Sequence, residues 1–157
     1  MSTRSSQAAF LDELAALYRE VDALYEGWSC PGSTECCRFG ITGRQPYVTS
    51  IEVAAIETAL RARGSDGPLP KHKRALPLTS DAGRERVCAL LDRNGKCSVY
   101  AARPFGCRTF YCERATPGPG PERDELRDLV RKLQELAARH QLGGELSRPL
   151  MRVFGET

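Results

Sequence analysis

The chain has 157 residues, long enough for one domain with a hydrophobic core of its own. Its seven cysteines fall short of the density of about one residue in ten that marks a disulfide scaffold, and an odd count excludes complete pairing within one chain. A formal charge of +3, from 23 basic and 20 acidic residues, is too small to point to nucleic acid, and no run reaches the roughly 18 apolar residues of a membrane span.

Residues 7–26 place Phe10, Leu11, Leu14, Leu17, Tyr18, Val21, Leu24 and Tyr25 at spacings of three and four, the stripe of an amphipathic helix. Ser5 or Ser6 is the expected cap and Gly27 the expected stop. Asp12 and Glu13 interrupt the apolar run and no small-residue cleavage site follows, so this stretch is not expected to act as a signal peptide. A reducing cytoplasm is the expected location, where clustered cysteines are metal ligands or redox thiols. Thr49 and Glu52 have capping-box spacing and open a second helix reaching about Arg63, closed by Gly64.

Residues 65–80 are rich in Pro and Gly around Lys71, His72, Lys73 and Arg74, which reads as a solvated surface loop. Two short β-prone runs follow, Val87 to Leu91 and Lys96 to Tyr100. Asn94 and Gly95 predict a tight two-residue hairpin turn between them, pairing Arg93 with Lys96 and Cys88 with Ala101. Arg103 and Pro104 start a helical turn, with Pro104 in the first helical position and Cys107 near exposed amides that favour a thiolate. A Pro/Gly connection at 115–122 leads into a helix over 121–142 with Leu126, Leu129, Val130, Leu133, Leu136 and Ala137 on its buried face. The tail, 145–157, is expected without regular structure, with Leu150, Val153 and Phe154 able to fold back.

The cysteines form two groups. Cys30, Cys36 and Cys37 stand in CPGSTECC, and Cys88, Cys97, Cys107 and Cys112 lie within one later segment. Short spacings let thiolates converge on one metal at about 2.3 Å, and zinc and iron–sulfur centres both use such donors. Cys36 and Cys37 are adjacent, so in extended backbone they face opposite ways and serve different metal atoms, or one of them alone is a ligand. Cys88, between Val87 and Leu90, also fits a small apolar core residue. Arg38, Arg103 and Arg108 stand beside the clusters and could offset thiolate charge, although surface placement explains each singly. His72 and His140, the two imidazoles, are read as non-ligands.

These residues resemble a known family. CPGSTECC, then CALL, GKCSVYAARPFGCR and a final Cys112, are similar to the YkgJ-type cysteine-cluster family, whose domain is described as zinc- or iron-chelating. Cys97, Tyr100, Arg103, Pro104, Cys107, Arg108 and Phe110 take the family's downstream positions. Upstream the family pattern is Cys-x-x-Cys-x-x-Cys-Cys, and Ser33 stands at its second cysteine. The resemblance implies metal binding, and because similar clusters accompany flagellin lysine methylation enzymes it includes an iron–sulfur protein linked to protein modification.

The expected fold is thus a small, loop-rich α+β cysteine-cluster domain with a short β-hairpin, flanked by N- and C-terminal amphipathic helices. It forms a single domain over 1–157, with its metal-binding core at 28–114. The expected function is chelation of zinc or iron by Cys30, Cys36, Cys37, Cys88, Cys97, Cys107 and Cys112, whether mononuclear, polynuclear or as an iron–sulfur cluster. A protein partner is also compatible, whereas nucleic acid and membrane are not expected. The alternative is a thiol redox enzyme or sensor using Cys36 and Cys37 or Cys107 and Cys112.

Overall fold

The computed structural model describes residues 2–28, 45–64, 88–92, 96–109, 119–142 and 147–154. Helix α1, Ser2–Leu24, buries Leu14, Leu17, Tyr18 and Val21, the stripe expected from spacing. It begins ahead of Ser5 and Ser6, which lie inside it and not at its cap, because no helix-breaking residue precedes them. After a turn, Gly27 takes a φ of 86°, a backbone state that disfavours side chains with a Cβ.

Strand β1, Tyr47–Val48, leads into α2, Ser50–Arg63. The capping box is complete. The Thr49 side chain accepts from the Glu52 N–H, and the Glu52 carboxylate accepts from the Thr49 N–H at 2.9 Å. Helix α3, Phe105–Arg108, is a single turn preceded by a 3-10 turn over Tyr100–Ala102. Helix α4, Arg123–His140, buries Leu129, Leu133, Leu136 and Ala137, while Val130 lies at the exposed edge of the stripe. The pairs Lys132 to Glu20 and Arg139 to Glu13 show that α4 runs antiparallel to α1. These exposed pairs add little stability, so the apolar stripes hold the two helices together.

The tail is more regular than expected. Strand β2, Arg148–Pro149, pairs antiparallel with β1, Tyr47 opposite Pro149 and Val48 opposite Arg148. It continues into α5, Leu150–Phe154, with Leu150 fully buried and its N–H donating to the Pro46 carbonyl at 2.9 Å. Burying Leu150, a gain of roughly 1.5–3 kcal/mol, explains why this segment is ordered. With these helices and a two-stranded antiparallel sheet the fold is α+β.

The chain reversal expected after Cys88 is present, but its register is not the expected one. Leu91 bridges Cys97, the Ser98 N–H donates to the Leu90 carbonyl, and the Asp92 N–H donates to the Lys96 carbonyl. The Asp92 carboxylate also accepts the Lys96 N–H at 3.1 Å, closing the turn one residue wider than an Asn94–Gly95 turn allows. Residues 88–91 form a turn, and Tyr100 already belongs to the 3-10 turn, so neither predicted strand runs its full length.

Two core clusters share α2. Ile51 joins the residues of α1, α4 and Phe105, whereas Val53 and Ile56 pack with Val48, Leu90, Val99 and Leu150. One polar tie fixes α1, α2 and α4 together at the surface of the first cluster. His140 Nδ1 lies 2.7 Å from the Ser50 hydroxyl and Nε2 lies 3.0 Å from Gln7 Oε1, with Phe10 edge-on to the ring. A neutral ring protonated at Nε2 satisfies both partners, since Ser50 can donate and the Gln7 oxygen can only accept.

Burial lowers the His140 pKa below its ordinary 6.5. Acid therefore protonates the unfolded chain first, and the stability from this tie is present above the ordinary value and lost as pH falls through the folded one. Urea unfolding between about pH 7.5 and about pH 5.5 should show this loss in the wild type and less of it in His140→Gln.

Candidate metal centre

Cys107 sits on α3, a four-residue helix too short to be stable alone. Three external attachments hold it. The first is Glu52, fully buried, whose Oε1 accepts the Phe105 N–H at 2.7 Å and the Tyr18 hydroxyl at 3.1 Å. The Thr49 N–H and hydroxyl donate to Oε2. Burial raises the Glu52 pKa, and the hydrogen bonds from Phe105, Thr49 and Tyr18 oppose that rise. Burial, helped by the Glu52 charge, likewise pushes the Tyr18 phenol well above its ordinary range, so it remains a donor.

This carboxylate also explains why Pro104 is the N-cap and not the first helical residue. The first amide, that of Phe105, is captured by Glu52, and the Cys107 and Arg108 N–H groups both donate to the Pro104 carbonyl. The Phe105 and Cys107 amides at this helix start are therefore engaged by Glu52 and by the Pro104 carbonyl.

The second attachment is Arg108, read from sequence as a surface residue but 5% exposed. Its Nη1 donates to both carboxylate oxygens of Asp22, at 3.1 and 2.8 Å, and Nε donates to the Arg103 carbonyl at 2.7 Å. Nη2 donates to the Ala101 carbonyl, and the guanidinium lies 3.9 Å from the Tyr18 ring centroid. Arg108 thus ties α3 to α1, and its charge is committed to Asp22. Arg103 instead stacks 3.9 Å over the half-exposed Tyr100 ring.

The third attachment is steric. A Cβ at Gly106 would stand 3.1 Å from Pro46 Cβ, so a larger residue there would push α3 and the start of β1 apart by a few tenths of an ångström. At the other end of the turn the Tyr25 hydroxyl donates to the Thr109 carbonyl at 3.3 Å, and Tyr25 packs edge-on against Trp28. Trp28 and Pro46 flank the stretch that contains Cys30, Cys36 and Cys37.

The cysteines thus divide by environment. Cys88 and Cys97 are half-buried against the second core cluster, so the apolar setting expected for Cys88 extends to Cys97. Cys107, also half-buried, follows Phe105, which enters the first cluster. Cys30, Cys36, Cys37, Cys112 and the motif residue Phe110 lie outside the described residues, as do Arg38 and His72. Among the described residues no three His, Cys, Asp or Glu side chains form a group that could hold a metal. His140 has its two ring nitrogens within hydrogen-bonding distance of Ser50 and Gln7.

A family model described as "CxxCxxCC: Putative zinc- or iron-chelating domain" matches residues 29–130. The chain belongs to this family. The match covers both cysteine groups, α2, α3 and the start of α4. No curated protein and no solved structure matches the chain. The donor chemistry fits the family's metals, because thiolates are soft ligands suited to zinc and to iron–sulfur centres, whereas the Ser33 hydroxyl is a poor one. No described helix is long and apolar enough to cross a membrane.

Spacing gave no hint of Glu52, Asp22 or Gly106 as parts of this region. Thr49 and Glu52 signalled a cap and nothing more, and the Gly106 constraint depends on Pro46, sixty residues earlier in the chain. Gly106→Ala should destabilise the protein by about 1–3 kcal/mol in urea unfolding, as an overpacked contact against a rigid ring does. Arg108→Lys should cost about 1–3 kcal/mol in the same assay, because an ammonium cannot serve Asp22 and two carbonyls together.

Proposed function

We propose that this domain binds a thiolate-ligated zinc or iron centre drawn from both cysteine groups, with Cys107 as the ligand supplied by α3. Cys30, Cys36, Cys37 and Cys112 join it. The observation that carries the reading is that both flanks of the Cys30–Cys37 stretch are attached to the helix bearing Cys107. Trp28 reaches α3 through Tyr25 and Thr109, and Pro46 reaches it through Gly106. Cys30 is two residues from Trp28 and Cys112 three from Thr109, so chain length alone keeps them within roughly 7 and 11 Å of those anchors.

Cys97 and Cys88 are the remaining candidates. Their packing against the second cluster supports a supporting role for Cys88, which a core cysteine fills without metal. Because the two clusters share α2, the chain is best read as one domain whose two cores bracket the centre. A closed set of four thiolates makes such a centre structural, while an open position makes it reactive.

Anaerobic purification followed by elemental analysis and a visible spectrum tests the proposal. The expected result is stoichiometric zinc, or iron with thiolate-to-iron absorption. Cys107→Ser should lose the metal and Cys88→Ser should keep it. Equal metal content in wild type and Cys107→Ser, or folded wild-type protein that takes up neither zinc nor iron when these are supplied, refutes it.

A further inference from the structure

Glu52 is the one fully buried acidic residue among the described residues, and nothing about a cap requires it to be so deep. Its two oxygens meet donors from three elements: Tyr18 on α1, Thr49 at the start of α2, and Phe105 at the start of α3. The last contact spans 53 residues of sequence and is the shortest of the set at 2.7 Å. Phe105 is two residues from Cys107, on the same helical turn. We propose that Glu52 is a positioning residue for the Cys107 arm, holding α3 in its metal-receiving geometry before metal arrives; this rests on the thiolate centre proposed above.

The physical reasoning is preorganisation. A four-residue helix held by nothing must be ordered when metal binds, and that ordering subtracts from affinity. An acceptor already bonded to its first amide removes the cost. Residues that orient a ligand without touching the metal typically change metal affinity by 10- to 100-fold when altered.

Glu52→Asp is the informative variant. It keeps the negative charge and shortens the side chain by one methylene, so the carboxylate cannot serve both Thr49 and Phe105. The expected result is a loss of about tenfold or more in affinity for Zn²⁺, measured by competition with a chromogenic chelator. In the metal-free protein, alkylation of Cys107 followed by mass spectrometry should become severalfold faster. His140→Gln is the control, because it loosens the tie between α1, α2 and α4 and leaves all four donors to Glu52 in place. Zn²⁺ affinity and Cys107 alkylation should match the wild type there.

Amide exchange in the metal-free wild-type chain gives a readout independent of whether any variant folds. The Phe105 amide should be protected before metal is added. Exchange at the rate of an open loop, unchanged alkylation in Glu52→Asp, or an equal loss of affinity in His140→Gln overturns the proposal. Absence of Zn²⁺ binding by the wild type would instead remove the metal reading, with the exchange and alkylation results still deciding whether Glu52 orders the Cys107 arm.

Discussion

The buried carboxylate of Glu52 is the constraint on which the other contacts around α3 depend. Removing a carboxylate from water costs several kcal/mol even after relaxation, so the site persists only if the charge is met by well-placed donors. Two backbone amides and two hydroxyls converge on it. Each is a charge-assisted hydrogen bond, stronger than a neutral one, and an acceptor-only ionised carboxylate is the form that all four donors fit. Because the donors come from α1, from the cap of α2 and from α3, displacing any of the three strands the charge. The penalty is local, but its effect is to fix the mutual placement of the elements.

Arg108 complements this arrangement from the opposite end of the same short helix. Glu52 takes the first amide of α3, and Arg108, the last residue of α3, reaches back to the Arg103 and Ala101 carbonyls and across to Asp22. Tyr18 lies between the two, its hydroxyl on Glu52 and its ring face under the guanidinium. A turn that could not persist in isolation is thereby clamped at one end to α2 and at the other to α1. The half-exposed Asp22 carboxylate is screened by water, so the buried carbonyl contacts and the ring stack, more than the ion pair, account for the strength of this clamp.

What the sequence revealed follows the range of the interactions. The helices over 7–26, 49–63 and 121–142 were legible because their stripes and caps repeat within a few residues, and Thr49 with Glu52 was readable as a capping box for the same reason. The tail strand was not legible, since Arg148–Pro149 pairs with Tyr47–Val48 a hundred residues away and its order comes from burying Leu150. The hairpin register failed for a local reason: the Asp92 carboxylate accepts the Lys96 amide and makes a wider turn better satisfied than the Asn94–Gly95 turn. In the candidate site, the cysteines were readable as chemistry but their environments were not. Cys97 has polar neighbours in sequence and an apolar cluster in space.

The division of the cysteines also bears on how one chain can hold a soft metal without staking its fold on it. Cys88 and Cys97 line a core cluster that Val48, Ile56, Leu90 and Leu150 fill with apolar side chains. Cys107 stands at a junction secured by Glu52, Arg108 and the Gly106 approach to Pro46, none of which involves a thiol. These attachments of α3 among the described residues are made by groups other than thiols, unlike those of small zinc modules whose folding energy is the metal's own. For the centre proposed above, the order of the helix that carries Cys107 therefore rests on a carboxylate, a guanidinium and a close backbone approach, and not on a thiol.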